Sequence, residues 1–442
     1  MSTPAIVATH QQAAKLVIPP IWHKLPLILV CVGGAGGLIG AFTPSLTKQF
    51  AYSYLLAYMF FLSLCLGAMF LTILHHLFDA NWTVPVRRVT EHMAFLLPVM
   101  AALFLPIALL APSQIYNWMR SSPAVDHALH AKQPFFTLAG FYCIAVFLFA
   151  LWWWLAWRLR YWSILQDKAT TTQTGEGKIF PLEQFFVWLS GCLGDRMETN
   201  NLVVLCSRMM RFHAGYGIYA FALSLTLAAI MWMKALEHQW FSTMYGVYYF
   251  AASVWITLGT LYLMTTVLGK SGPLNAVVRP KTLHDMGVLW LAFTVFYAYI
   301  HFSQYFLIWN ADIPEETFYY AKREVGSWWQ ICLILVFGHF LVPFLLLLRI
   351  DFKLNLAVMI PLCIWAWMMH FCDISFNVMP LIHDKGFVLH PLDLTCMAFI
   401  GGVLAMVFLK FFRAHPPYPV NDPRLGESLG LPQTVPATAP PH

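Results

Sequence analysis

Long apolar stretches separated by short polar ones run through the chain from one end to the other. A hydrocarbon layer of about 30 Å needs roughly 20 apolar residues in a helix. Stretches of that size lie at about 25–44, 51–78, 89–112, 134–157, 210–236, 243–268, 283–309, 327–348, 354–372 and 392–412. The pattern predicts an all-α polytopic membrane protein with ten transmembrane helices. It divides the chain into an N-terminal segment (1–24), helices 1–4 (25–157), a loop (158–209), helices 5–10 (210–412) and a Pro-rich tail (413–442). The loop has a polar stretch from Thr170 to Lys178, then an apolar-rich part from Phe180 that is expected to lie at the interface as an amphipathic helix. The tail, with Pro416-Pro417-Tyr418-Pro419, is expected to be disordered or draped on a partner.

Charge adds an orientation. With the N-terminus inside, about 19 of the 26 basic residues fall in inner segments. Both termini are therefore expected to be cytoplasmic, and the acidic outer loop Asp312-Ile313-Pro314-Glu315-Glu316 agrees. The first 24 residues lack a signal peptide's apolar core and cleavage site, so the first helix is expected to be retained. A net charge of +6 fits basic inner loops and calls for no nucleic-acid partner.

Composition supports the same class. The chain is 60% hydrophobic and 10% charged, far below the roughly 25% charged residues of a soluble domain. Its nine cysteines form no CxxC, CxxCH or iron–sulfur spacing, so covalent haem and clusters are not expected in this chain.

A weak internal echo links two loops. Pro85-Val86-Arg87-Arg88 is followed by Glu91-His92, and Arg279-Pro280-Lys281 by His284-Asp285. A shift of four helices preserves direction, which suggests a parallel repeat relating helices 2–5 to helices 6–9, two four-helix bundles with two flanking helices.

Ionisable groups inside hydrocarbon cost about 2.5–3.5 kcal/mol each on insertion scales, so each one invites a reason. His75, His76, Asp79, Glu91, His92 and His213 lie toward the inner side of the first half, and His284 and Asp285 toward that of the second. His339 falls near mid-membrane, with His301, Gln304, His370 and Asp373 toward the outer side. His301 and Gln304 are three apart, as are His370 and Asp373, so each pair shares a helix face. A histidine beside a carboxylate can pass a proton near neutral pH. These residues are candidates for a proton pathway or a quinone-facing surface, weighed against structural pairs at helix ends. Axial haem ligation by His301 and His370 is a further reading, set back by the lack of two pairs on a recurrent spacing. Gly33, Gly34, Gly36, Gly37 and Gly40 contain two GxxxG spacings suited to close helix packing. Asp126, His127 and His130 read as a solvated loop, and no metal site is expected.

Several segments together resemble one family. They are Leu74-His75-His76-Leu77 running into Trp82-Thr83-Val84-Pro85-Val86-Arg87-Arg88, Glu237-His238-Gln239-Trp240-Phe241-Ser242-Thr243-Met244-Tyr245-Gly246, Phe302-Ser303-Gln304-Tyr305-Phe306-Leu307-Ile308-Trp309 with Ile313-Pro314-Glu315-Glu316-Thr317, and Asp422-Pro423-Arg424-Leu425-Gly426-Glu427-Ser428-Leu429. In this order they resemble the smaller polysulfide-reductase-type (NrfD-like, ActF-type) membrane subunit of bacterial alternative complex III, a quinol:cytochrome c or quinol:oxidase oxidoreductase.

The resemblance implies ten helices in two four-helix bundles and residence in the bacterial inner membrane. It implies as partners a larger sister membrane subunit, an iron–sulfur subunit, multihaem cytochrome c subunits and, in the oxidase-linked form, a terminal oxidase. Haems and clusters would then reside in those partners, with quinol at or near this subunit, whose own type serves assembly and proton conduction. The relay would have His284 and Asp285 as its inner mouth, His339 midway, and His301, Gln304, His370 and Asp373 outward. The first half would offer a second inner group at His75, Asp79, Glu91 and His92. A stand-alone solute or ion transporter, expected to show matched Gly/Pro breaks in its two halves, and a b-type cytochrome are the alternative classes.

Overall fold

Each apolar run is long enough to satisfy its backbone polar groups internally only as a helix, and a computed structural model gives that outcome. It describes residues 21–122, 126–169, 202–270 and 277–430, with Gln184, Val187 and Leu274 in addition. No strand occurs among the described residues. Ten helices there are long and apolar enough to cross a membrane: α1 (Lys24–Phe42), α2 (Thr47–Phe78), α3 (Asn81–Ile115), α4 (Leu138–Lys168), α5 (Leu202–Glu237), α6 (Tyr245–Lys270), α7 (Pro280–Ala311), α8 (Trp328–Leu348), α9 (Leu356–Leu381) and α10 (Pro391–Ala414). The chain is a multi-pass membrane protein.

α2 and α6 cross at the centre and are almost wholly buried. Their closest approach is at Gly67, where a Cβ would lie 2.4 Å from the Ser253 carbonyl oxygen. Around this core, α2 packs on α3, α5, α9 and α10, and α6 packs on α5, α7 and α9. α4 leans on α3 and α5, and α8 on α7 and α9. α1 lies at the rim against α10, where Gly33 and Gly36 meet Phe399 and Thr395 closely enough to exclude any side chain, the use their GxxxG spacing suggests. The space between α2, α3, α4 and α5 is filled by rings, with Trp232 in contact with Tyr58, Phe104, Phe149 and Trp152.

Several boundaries differ from the hydropathy reading, for a common reason. α4 runs on to Lys168 rather than ending near 157, because its polar residues face protein: Arg158 bonds His213, and Gln166 bonds Ser207. α9 runs on to Leu381 because Asp373 and Asn377 point inward. Polar side chains turned to the interior end an apolar run without ending the helix. The expected interfacial helix after Phe180 lies outside the described residues, as do residues 1–20 and 431–442. Residues 415–430 are not loose. They fold back onto the end of the helix array, with Tyr418 and Asp422 buried.

Besides α5, which ends in a π-helical stretch, Ala229–Met233, and a 3-10 turn, Lys234–Glu237, two helices are interrupted within their length. α3 is built from segments Arg87–Ala94, Leu97–Leu103 and Leu105–Leu110, with Pro98 and Pro106 in the first turns of the latter two. α8 carries a π-helical stretch, Leu335–Leu341, between Trp328–Ile334 and Val342–Leu348. Pro343 lacks the N–H that the His339 carbonyl would otherwise accept, and the wider turn lies just before it. These breaks fall in α3 and α8, which do not correspond under a four-helix shift.

Candidate functional site: a buried histidine–carboxylate cluster

His370, Asp373 and Asn377 follow one another at helical spacing on a single face of α9. α8 comes close to that face at Gly338, whose added Cβ would lie 2.5 Å from the Met369 sulfur, and the Gly338 carbonyl accepts the Trp365 indole N–H at 2.8 Å. The π-helical turn then aims His339 inward. Its ring is held between Trp255 of α6 and Tyr297 of α7, at centroid distances of 3.8 and 3.9 Å and nearly parallel to both. π-Turns inside helices commonly mark functional sites, and this one brings a ring nitrogen of His339 to His370 and Asp373 of α9.

The cluster is fully buried: His339, His370 and Asp373 have no solvent exposure. Asp373 Oδ1 accepts the hydroxyls of Tyr248 and, at 2.8 Å, Tyr297. His370 Nε2 shares a 2.8 Å hydrogen bond with Ser63 Oγ of α2. Asp373 Oδ2, His370 Nδ1 and both ring nitrogens of His339 have no hydrogen-bond partner among the described residues. His370 Nδ1 and Asp373 Oδ2 are 3.9 Å apart, and donor atoms of all three residues lie within 4.8 Å of one another. A tetrahedral zinc centre would hold its donors about 3.4 Å apart. A water bridging two groups through ordinary hydrogen bonds holds them about 4.6 Å apart. The 3.9 Å between His370 Nδ1 and Asp373 Oδ2 lies between these two spacings.

From Asp373 a hydrogen-bonded string runs toward the end of the array that carries Trp240. Asn377 Nδ2 donates to the Tyr248 hydroxyl at 2.7 Å, and Asn377 Oδ1 accepts from Tyr245 and Tyr319 at 3.1 and 2.9 Å. Tyr319 is stacked between Trp240, at 3.7 Å, and the Arg323 guanidinium, at 3.5 Å. Arg323 and Lys322 pair with Glu237 at 3.0 and 2.9 Å, and Lys322 reaches the surface. Burial disfavours the charged form of Arg323, but the Tyr319 and Glu237 oxygens outweigh it and raise its pKa. Beside the string, Tyr245, Tyr248, His301, Gln304 and Asn377 line a cavity of about 20 Å³, room for one water.

The structure gathers some candidate residues and separates others. His301 contacts the rings of both Tyr248 and Tyr297, at 5.6 and 5.7 Å, so it approaches Asp373 only through them. Gln304 bonds Ser242 at 2.9 Å at the cavity's edge. His284 and Asp285 bond each other at 3.2 Å and are half-exposed. They lie about 18 Å along α7 from Tyr297, and among the described residues no hydrogen bond joins them to His339. His213 is buried between Arg158, which donates at 3.0 Å, and the Tyr216 hydroxyl at 2.9 Å. His92 sits among Phe408, Phe411, Phe412 and His415, with neither ring nitrogen hydrogen-bonded among the described residues.

The remaining candidates form a different unit at the opposite end, around Arg87. Arg87 bonds His75 Nε2 at 3.3 Å, Glu91 at 3.1 Å and Asp422. Arg88 bonds Glu91 at 2.6 Å and also Asp167. Asp79, whose φ of 51° closes α2 in a left-handed turn, accepts from Arg211 and Arg424 at 2.5 Å each. Burial works against the Asp422 carboxylate, but Arg87, Arg424 and the Arg424 amide hold its pKa below the usual range. Every carboxylate in this unit is paired with an arginine.

Sequence reasoning passed over Ser63, Tyr245, Tyr248, Tyr319, Asn377, Glu237, Arg323 and Asp422. The Tyr245/Tyr248 and Asp373/Asn377 pairs were visible as helix-face spacings. Asp422 entered the sequence reading only as the first residue of the family-like segment 422–429, with no role attached. A scan against models of known protein families finds no match, and no curated protein matches the chain.

Proposed function

We propose that this chain is a membrane-embedded subunit of a quinol-oxidising electron-transfer complex of the alternative complex III type. It anchors the assembly and carries a proton pathway in the half built from α6–α9. The observation that carries this reading is the hydrogen-bonded string Asp373–Tyr248–Asn377–Tyr319, with the Ser63–His370 pair 3.9 Å from Asp373 at its inner end and Arg323, Glu237 and Lys322 beside its outer end. Its hydroxyls, carboxylate and amide supply both donors and acceptors, and it joins a buried triad deep in the array to one exposed end. The order of the four sequence segments named above supplies the kind of complex.

Two further features support the reading. Helix contacts recur after a shift of four: α2–α3, α2–α5, α3–α4 and α4–α5 are matched by α6–α7, α6–α9, α7–α8 and α8–α9. This favours two parallel-related bundles, one filled by aromatic rings and the other by the polar string. In that arrangement the Arg87 end is cytoplasmic, with both chain termini, and the string opens on the outer face of a bacterial inner membrane. Protons released by quinol oxidation would leave there. No redox step is assigned to this chain, and electrons would travel through haem and iron–sulfur partners, with quinol bound at the sister subunit or against this one.

Gentle detergent extraction tests the reading directly. The chain should come out with a second, larger polytopic subunit and proteins showing c-type haem absorbance. Recovery as a homogeneous single species without absorbing partners would instead identify a stand-alone transporter.

A further inference from the structure

Arg160 of α4 is a cation with no counter-ion among the described residues. Its guanidinium lies over the rings of Phe95 and Phe411, at 4.3 and 4.8 Å. Nε and Nη2 are buried and have no hydrogen-bond partner among the described residues. The carboxylates nearest in the fold are committed elsewhere, Glu91 to Arg87 and Arg88, and Asp167 to Arg88. Burying an arginine nitrogen unpaired forfeits its hydration without a replacement acceptor, an unfavourable state that an anion would relieve.

The surroundings are those of a ligand site. Arg160 lines a cavity of about 210 Å³ with Phe95, Trp157, Tyr161, Ile164, Leu165 and the exposed Lys168. Trp157, Arg160, Ile164 and Lys168 recur every three or four residues, so one face of α4 carries two cations about 12 Å apart along the axis, with Ile164 between them and Trp157 beyond Arg160. Trp and Tyr beside cations at a helix end are the composition of a headgroup-level belt. Guanidinium and ammonium together favour a phosphate oxygen set, and the apolar wall favours an acyl chain below it.

From this we infer a binding site for an anionic phospholipid, with its phosphate between Arg160 and Lys168 beside Ile164 and its chain along Phe95 and Trp157. The site is remote from the Asp373 cluster and independent of the relay.

Native mass spectrometry of the full chain, released from detergent after titration with phosphatidylglycerol or phosphatidylcholine, tests it. Two cations should favour phosphatidylglycerol by about thirtyfold. Arg160→Gln and Lys168→Gln should each lower that preference by about fivefold, while Lys410→Gln, at an exposed lysine on α10, leaves it unchanged. Lys168 is exposed, so its variant reports binding even if Arg160→Gln perturbs folding. Equal retention of the two lipids, or undiminished preference in both α4 variants, overturns the inference. Displacement of the lipid by excess inorganic phosphate overturns it too, in favour of a free-anion site.

Discussion

Replacing Asp373 by asparagine separates what the cluster does for stability from what it does for protons. The amide keeps the shape and one acceptor oxygen, so the hydroxyls of Tyr248 and Tyr297 retain their target. Each of those bonds loses its charge assistance, about 1 kcal/mol apiece. Against that loss, the buried and unpartnered Oδ2 disappears, relieving about 1–3 kcal/mol of desolvation. An NH₂ group takes its place facing His370 Nδ1, 3.9 Å away before any adjustment. The terms nearly cancel, so thermal unfolding should move by less than about 1 kcal/mol, roughly 2–4 °C at most. Proton transfer should fall by about 10²–10⁴ if the carboxylate is an obligatory carrier. The assay is proton release per quinol oxidised by the copurified complex in proteoliposomes, followed with a pH-sensitive dye, beside fluorimetric melting of the same preparation. Asp373→Leu serves as the contrast. It orphans two hydroxyls and should cost about 2–6 kcal/mol. Wild-type proton release from a well-folded Asp373→Asn complex would refute the relay, and a loss above about 3 kcal/mol in that variant would refute the energetic reasoning.

Other expectations follow from the same structure. Gly67→Ala places a Cβ 2.4 Å from the Ser253 carbonyl oxygen and 2.2 Å from Thr257 Oγ1, and should cost about 1–3 kcal/mol by overpacking, read as a lower melting temperature in detergent. Asp422→Asn should raise hydrogen exchange across 415–430 at neutral pH by weakening the hold of Arg87. Because the folded pKa of Asp422 is depressed, its contribution is complete above the ordinary carboxylate pKa of about 3.9. It is lost as pH falls below that value, so wild-type protection of 415–430 should be flat from pH 7 to 5 and collapse only in stronger acid. Lys132, in the segment before α4, is pushed down to about 8 by burial. A base with a lowered folded pKa favours the fold increasingly as pH rises from there toward its unfolded value. Melting temperature should therefore climb across that window in the wild type and stay level in Lys132→Met.

The helices themselves could be read from hydropathy, since ten apolar runs leave little alternative in a bilayer. Where polar residues are turned inward, the same signal cut helices short, as at Arg158 in α4 and Asp373 in α9. The triad was partly legible. His370 and Asp373 share a face by spacing alone, but bringing His339 to them depends on the π-turn before Pro343 and on the contact at Gly338, which no periodicity announces. The echo between Glu91-His92 and His284-Asp285 was legible as sequence, yet the two places differ in the fold: Glu91 is locked between two buried arginines, whereas Asp285 is half-exposed beside its histidine. Residues 415–430 differ from the disorder expected of proline and polar composition, because Asp422, Asn421 and Arg424 tie them to the helix array.

That pin has an implication for biosynthesis. Arg87 stands at the start of the third membrane crossing, but the carboxylate it holds belongs to residue 422 and is made only after the tenth crossing has been translated. Throughout insertion, the guanidinium must therefore rely on His75, Glu91, Ser163, Gln166 and water. Completion of the ribosome's work, rather than any earlier helix pairing, closes that corner of the molecule. Nascent chains stalled before residue 422 should accordingly remain open to chaperones and membrane proteases at that corner.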